Sequence, residues 1–240
     1  MEAKLPIENN TFEIKRFGIA AAKVVDTNAS IEEINSAAKV DNIEFLSIRV
    51  STDDLPRVQA LEADGYRLMD TLVYYGRSLT NVLNCPDSMI RVATPSDANA
   101  VAKVAEAGFA DYVGHYHVDP RLPNTGADAA YVEWAENSVK MCGLESPVLV
   151  AEEGNRILGF VAMQINLNSE AEIVLNAVHP DFQGQGIYNR LLAASLALSA
   201  QSKCETVITS TQINNVAVQR VWSRQGLRMV RSYYTLHKWF

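Results

Sequence analysis

The chain has 240 residues, of which 48% are hydrophobic, with a formal net charge of −7 and a pI of about 5.2. That length supports one large domain or two smaller ones with proper cores, and the acidity, without a run of Lys or Arg, excludes nucleic acid and an anionic membrane as main partners. The N-terminus, M-E-A-K-L-P-I-E-N-N, has no basic region before an apolar core, and no apolar run approaches the roughly 18 residues of a membrane helix, so a cytoplasmic location is expected.

Cys85, Cys142 and Cys204 are odd in number and widely spaced, which fits neither a disulfide framework nor a zinc site. They are expected to be small buried hydrophobes, and no metal is expected.

Residues 1–84 read as a small α/β domain. Strands are expected over 12–17, 20–25 and 45–50, and a helix over 31–39 opened by Ser30. Residues 55–63 have helical spacing, Asp64-Gly65 supplies a stop, and 66–79 is rich enough in β-formers for a long strand. A boundary is expected at Asn84-Cys85-Pro86-Asp87, a polar stretch broken by proline, leaving 88–240 as the second domain.

The second half opens with a strand over 89–93 and a helix over 97–109, capped by Ser96 with Thr94-Pro95 before it. Residues 111–126 read D-Y-V-G-H-Y-H-V-D-P-R-L-P-N-T-G, irregular and aromatic, as a substrate wall would be. A helix over 127–141 follows. Strands over 148–153, 156–167 and 171–178 form a meander, joined by the hairpin signal Gly154-Asn155 and by Asn168-Ser169. Ile187, Leu191, Ala194, Ser195 and Leu198 keep helical spacing in the next element. A strand over 204–209, a helix over 215–225 stopped by Gly226 and a strand over 227–239 complete the chain.

The segment from 178 to 192, V-H-P-D-F-Q-G-Q-G-I-Y-N-R-L-L, joins a strand to a helix through Gln183, Gly184, Gln185 and Gly186. Such a loop suits phosphate, because glycines let backbone N–H groups converge on an anion at the positive end of a helix. A dinucleotide fingerprint would need a third glycine where Asn189 stands, and a P-loop would need Gly-Lys-Ser/Thr, which is absent.

Two stretches resemble each other: Leu61-x-x-x-Gly65-Tyr66-Arg67-Leu68-Met69 and Trp222-x-x-x-Gly226-Leu227-Arg228-Met229-Val230. They continue to Tyr74-Tyr75 and Tyr233-Tyr234 respectively. The first half reads either as a shortened copy of the second or as a chance match of a common helix–Gly–strand pattern.

The order of three strands, Q-G-Q-G-I-Y loop, helix, strand, Asn215-led helix, Gly226 and final strand resembles the GCN5-related N-acetyltransferase (GNAT) superfamily over residues 88–240. The family loop is Gln/Arg-x-x-Gly-x-Gly/Ala, and here Gln183-Gly184-Gln185-Gly186 supplies its glycine end, with Gln183 read as playing the Gln/Arg role one place late. The resemblance implies an α/β GNAT fold, a mixed and mostly antiparallel sheet with flanking helices, preceded by a smaller GNAT-like half. It also implies acetyl-coenzyme A bound by Asn176, Ala177, Val178, Gln183, Gly184, Gln185, Gly186, Ile187, Tyr188 and Asn215, and a small-molecule amine as acceptor. Closest in appearance are the dTDP-linked amino-sugar acetyltransferases, through the L-x-x-x-G-Y ending of the first half and the stretch from Phe109 through Tyr131-x-x-Trp134-x-x-Asn137-Ser138.

Many members of the family place a tyrosine four residues before the glycine of the last helix, where it protonates the thiolate. Here the residue is Trp222, which can orient the sulfur or pack the helix but is no useful acid. Tyr233 or Tyr234 is a replacement acid, with Tyr234 preferred. Strand alternation groups Glu172, Val174, Asn176 and Val178 on one face, making Glu172 a candidate base through water. Tyr112, Tyr116, Tyr131 and Trp134 offer flat faces for a sugar or base, and His115, His117 and Arg121 offer donors to hydroxyls or a diphosphate. A nucleotide-linked amino sugar uses all of them. The rivals are a non-catalytic acetyl-coenzyme A module and an acetyltransferase for a peptide or polyamine amine; a homodimer is an open expectation.

Overall fold

A computed structural model describes residues 5–80 and 86–240. The elements are β1 (Ile7–Asn9), α1 (Thr11–Phe17), β2 (Ala21–Val24), α2 (Ile31–Val40), β3 (Phe45–Ser51), α3 (Leu55–Ala63), β4 (Arg67–Ser78), β5 (Ile90–Val92), α4 (Ala98–Gly108), α5 (His115–Val118), α6 (Asn124–Lys140), β6 (Val148–Glu153), β7 (Arg156–Ile165), β8 (Glu170–Val178), α7 (Ile187–Gln201), β9 (Thr206–Gln212), α8 (Val216–Arg224) and β10 (Arg228–Trp239). No helix among the described residues is long and apolar enough to cross a membrane. Two compact units are present: one comprises the residues up to Val73 with Val113–Ala127 and Arg231–Phe240, the other Tyr74–Tyr112 and Asp128–Val230. The boundary expected at residues 84–87 falls partly on residues outside the described set, as does Cys85.

In unit 1 the strand order is β1-β2-β3-β10. β1 runs antiparallel to β2, β2 parallel to β3, and β3 antiparallel to β10, from Tyr233↔Ser51 to Trp239↔Phe45. The unit is therefore completed by the last strand of the chain. A capping box starts α2: Glu33 N–H donates to Ser30 Oγ at 3.1 Å and Ser30 N–H to Glu33 Oε2 at 2.8 Å. Ile34, Ala38, Val58 and Leu61 of α2 and α3 pack on Leu46, Ile48 and Leu236. A second cluster joins Ala21, Phe45 and Leu122 to Phe17, Tyr116 and Trp239.

Residues 12–17 are a helix, not the expected strand. Phe12 and Ile14 alternate as in a strand, but Asn10 Oδ1 accepts from Glu13 N–H at 3.3 Å, and Gly18, at φ +67°, closes α1 one turn later. Local capping outweighs the period, and both apolar side chains stay exposed while Glu13 is buried.

In unit 2 the strand order is β4-β9-β8-β7-β6-β5, with β4 contributing its C-terminal part; just beyond it Leu79 N–H donates to Glu205 O at 2.9 Å. β5 to β8 pair antiparallel, and β8 and β9 are parallel. Antiparallel pairing thus predominates in a mixed sheet flanked by helices. Helices α7 and α8 cover one face through Ile187, Leu191, Leu192, Leu196 and Trp222, and α4 and α6 cover the other through Val101, Val104, Ala135 and Val139.

Two helix starts differ from expectation. The turn Pro95–Asp97 precedes α4, and its cap is Thr94, whose N–H donates to Asp97 Oδ2 at 2.7 Å; Ser96 is not the cap. Helix α6 begins at Asn124 rather than 127, and α5 lies inside the stretch read as irregular.

Candidate functional site

The anion-binding geometry expected of the glycine loop is present in unit 2. Gly184 and Gly186 have φ of +76° and +79°, conformations that glycine adopts without strain, and a Cβ built on either meets nothing within 4 Å, so the loop faces open space. Gly186 is the N-cap of α7. The first α7 backbone bond runs from Arg190 N–H to Gly186 O at 3.1 Å. Among the described residues the N–H groups of residues 184–189 have no protein acceptor, so six donors are left free at the positive end of a 15-residue helix. Gln183 Nε2 donates to Val178 O at 3.1 Å and Gln185 Nε2 to Asp181 O at 3.3 Å; these side chains brace the loop rather than reach outward. Arg190 pairs with Asp87, whose carboxyl is held below its ordinary range by those hydrogen bonds.

Beside the loop the sheet opens. The pairing of β8 with β9 runs from Glu170↔Thr206 to Ile173↔Thr209, whereas β8 continues to Val178 and β9 to Gln212. Thr209 Oγ1 donates to Ile173 O at 3.1 Å where the pairing ends. The stretch 174–178 thus has one edge unpaired, able to meet the amides of an extended arm as a strand would. Asn215 caps α8 through Oδ1, which accepts from Val218 N–H at 3.4 Å, and its Nδ2 donates to Thr211 Oγ1 at 3.0 Å.

One expectation about this strand is overturned. The register slips between Ala162↔Leu175 and Met163↔Ile173, which leaves Val174 as an extra residue in β8. Ala171, Ile173 and Val178 therefore belong to the α7/α8 side, and Val174, Leu175 and Ala177 to the α4/α6 side. By alternation on either side of the bulge, Glu172 lies on the α4/α6 face and Asn176 on the α7/α8 face. They do not share the face assigned to them from spacing alone.

Trp222 is fully buried, and its Nε1–H donates to Tyr188 Oη at 2.7 Å. Tyr75 lies against the indole with ring centroids 5.3 Å apart, and Tyr75 Oη donates to Gln219 Oε1 at 3.3 Å. Burial pushes the Tyr188 phenol well above its ordinary range, with the Trp222 N–H opposing it. Counted from Gln183, Tyr188 fills the last place of the Gln/Arg-x-x-Gly-x-Gly/Ala pattern, where a small residue is usual. Gln183 therefore stands in register, and the departure lies at Tyr188.

The residues assigned to the acceptor are divided. Tyr112 and Trp134 belong to unit 2, where Tyr112, Tyr131 and Phe109 form a ring cluster with centroids 4.9–5.5 Å apart, Tyr112 Oη bonds Gln212, and Trp134 is 42% exposed. His115, Tyr116, His117 and Arg121 belong to unit 1. There Asp119 Oδ2 accepts from His237 Nδ1 at 2.9 Å and from Trp239 Nε1 at 3.0 Å, and His237 Nε2 meets His115 Nδ1 at 2.9 Å. With Asp119 ionised, His237 Nδ1 carries the proton of that bond. Burial works to raise Asp119, but its bonds from His237, Trp239 and the Arg121 N–H hold it at about 2. Burial pushes His115 well below its ordinary value, and His237 and Arg49 add to the effect. Glu13, buried, accepts from Tyr116 Oη at 3.0 Å, and burial raises its carboxyl to about 7. His237, Asp119 and Glu13 were not assigned to any site from sequence; their partners are up to 122 residues away along the chain, and no local pattern marks them. Tyr234 packs against the Leu46–Leu236 core of unit 1. Among the described residues no group of three or more His, Cys, Asp or Glu is arranged to hold a metal.

Comparison with known proteins agrees with this geometry. Residues 110–227 match the model of the acetyltransferase (GNAT) family. A spore coat polysaccharide biosynthesis protein, SpsD, of Bacillus subtilis is 24% identical over 247 residues, covering 100% of this chain and 77% of its own. Among solved structures, a GCN5-related N-acetyltransferase from Sphaerobacter thermophilus superposes with a TM-score of 0.64 at 14% identity, over 97% of this chain and 75% of that one. A tandem GNAT protein from the clavulanic acid biosynthesis pathway gives 0.59 at 12% identity, over 92% and 76%. At these identities the structures establish the fold. Residues 110–227 thus match the acetyltransferases of the GNAT family, whose members take the acetyl group from acetyl-coenzyme A and act on small-molecule amines.

Proposed function

We propose that the chain acetylates the amino group of a nucleotide-linked amino sugar. The observation that carries this reading is the similarity to a spore coat polysaccharide biosynthesis protein, over 100% of this chain and 77% of that protein. Supporting it are residue types that suit such an acceptor, the rings of Tyr112 and Trp134 and the guanidinium of Arg121, whereas His115 and Tyr116 are taken up by bonds to His237 and Glu13.

On the donor side, the N–H groups of residues 184–189 hold the pyrophosphate, and Asn215 with the free edge of 174–178 aligns the arm. Bound there, the thioester supplies an activated acetyl group. The free β8 edge offers an N–H to the oxyanion, a donor worth roughly 3 kcal/mol. An amine near pKa 8 is about one-tenth neutral at pH 7, so a weak base acting through water suffices, and Glu172 is assigned to it. Trp222, with its N–H already bonded to Tyr188, holds α8 on the sheet.

We also propose that the first half is a shortened GNAT copy. Gly65 (φ +88°) follows α3 as Gly226 (φ +79°) follows α8, and the N–H two residues after each cap closes the same bond, Tyr66 to Leu61 O and Leu227 to Trp222 O, both at 3.0 Å.

A panel of amines under identical conditions tests the acceptor: nucleotide-linked 4-amino and 3-amino sugars, free amino sugars, polyamines and peptide N-termini. A nucleotide-linked sugar is expected to be preferred, with the preference lost in Arg121→Ala. Turnover of a peptide or polyamine alone would exclude the sugar.

A further inference from the structure

The hydroxyl of Tyr188 is only half accounted for. A phenol oxygen accepts through its lone pairs and donates one proton. The lone pairs take the Trp222 Nε1–H at 2.7 Å, but among the described residues the phenolic O–H has no acceptor. Tyr188 is in the first turn of α7, directly after the loop donors, and its ring packs in the same apolar cluster as Ile173 and Val178, the residues that bound the unpaired stretch of β8. An arm attached to a phosphate at the loop and laid along that stretch passes over this cluster. Among the described residues the other hydroxyl and N–H groups nearby are committed: the Trp222 N–H is bonded, Tyr75 Oη donates to Gln219, and Ser195 Oγ donates to Leu191 O; the Cys204 thiol, also in the cluster, is a free cysteine whose proton burial holds more tightly.

We propose that Tyr188 protonates the departing thiolate of coenzyme A, with Trp222 as the residue that positions it. As the C–S bond of the thioester breaks, its electron pair moves to sulfur, and sulfur takes the phenolic proton to become a thiol. The resulting phenolate is held by the Trp222 N–H and regains a proton from solvent, while the amine nitrogen releases its proton as the amide forms. The assignment rests on acetyl transfer by this chain and not on the identity of the acceptor.

The test uses Tyr188→Phe, which keeps the ring and its packing, with a thermal melt to show that it folds. Coenzyme A is titrated across pH and its thiolate is followed by ultraviolet absorption. Loss of a donor to sulfur is expected to raise the bound thiol's pKa by about one unit, a tenfold change in ionisation. With the best amine of the panel, turnover is expected to fall about a hundredfold while the dissociation constant for acetyl-coenzyme A stays within about threefold. Trp222→Phe is expected to lower turnover less. An unchanged bound-thiol pKa together with turnover within about threefold overturns the proposal, as does a loss confined to cofactor affinity. If wild type turns over no amine, the transfer reading fails by itself and the thiol titration still decides the role of Tyr188.

Discussion

Replacing Gly186 with valine perturbs the loop in two separable ways. A β-branched residue at φ +79° carries a backbone penalty of about 1–3 kcal/mol. Because the added Cβ meets no protein atom within 4 Å, that penalty is conformational rather than a clash, and it falls on stability. At about 2–4 °C per kcal/mol the melting temperature should drop by a few degrees and the protein should still fold. The second effect is on the ligand: the isopropyl group is placed beside the free N–H groups of residues 184–189. Losing even one charge-assisted bond there removes about 1.5–3 kcal/mol, so affinity for acetyl-coenzyme A should fall at least about tenfold. Gly186→Ala, with a smaller side chain, should show most of the backbone penalty and less of the affinity loss. Calorimetry with acetyl-coenzyme A on both variants separates the two, and a folded Gly186→Val with unchanged affinity would refute the loop assignment.

Trp222→Phe should keep activity within about tenfold, since the indole N–H serves Tyr188 rather than the sulfur; a loss beyond about a hundredfold in turnover with cofactor binding intact would show the indole in the chemistry. Glu13→Gln should stabilise the protein at pH 8 and not at pH 5. The folded carboxyl titrates near 7 against 4.5 unfolded, so stability falls as pH rises between those values, by about 1.4 kcal/mol per pH unit and roughly 3 kcal/mol in all; equal melting shifts at both pH values would disprove this. Asn215→Ala should cost about 1 kcal/mol through the lost cap, read by melting, and should also weaken acetyl-coenzyme A if the side chain meets the arm.

What could be read from the sequence was what neighbouring residues decide together. The helix start at Ser30, the turn at Gly154-Asn155 and the glycines at 184 and 186 are local devices, and each stands where spacing placed it. Errors arose where two local signals competed, as at residues 12–17, where an alternating pattern masked a capped helix. They arose again where geometry departs from its ideal period. One extra residue at Val174 reverses the side on which everything after it points, and neither Glu172 nor Asn176 carries a mark of that reversal. Pairings across the chain were the least legible: Trp222 with Tyr188, and Asp119 with His237 and His115, join residues whose chemistry is visible singly but whose partners are not.

The strand that closes unit 1 bears on how the protein is made. Thr52 and Ser232, whose hydroxyls lie 2.6 Å apart at the β3–β10 seam, are separated by 180 positions, so their meeting waits until that much further chain has been made. Unit 1 spends its synthesis with β3 unpaired along one edge, exposed to association with other nascent chains. Shortening the chain by its last ten residues should therefore damage the unit built mostly from its beginning, and folding should proceed on the slow timescale of long-range strand pairing rather than during elongation.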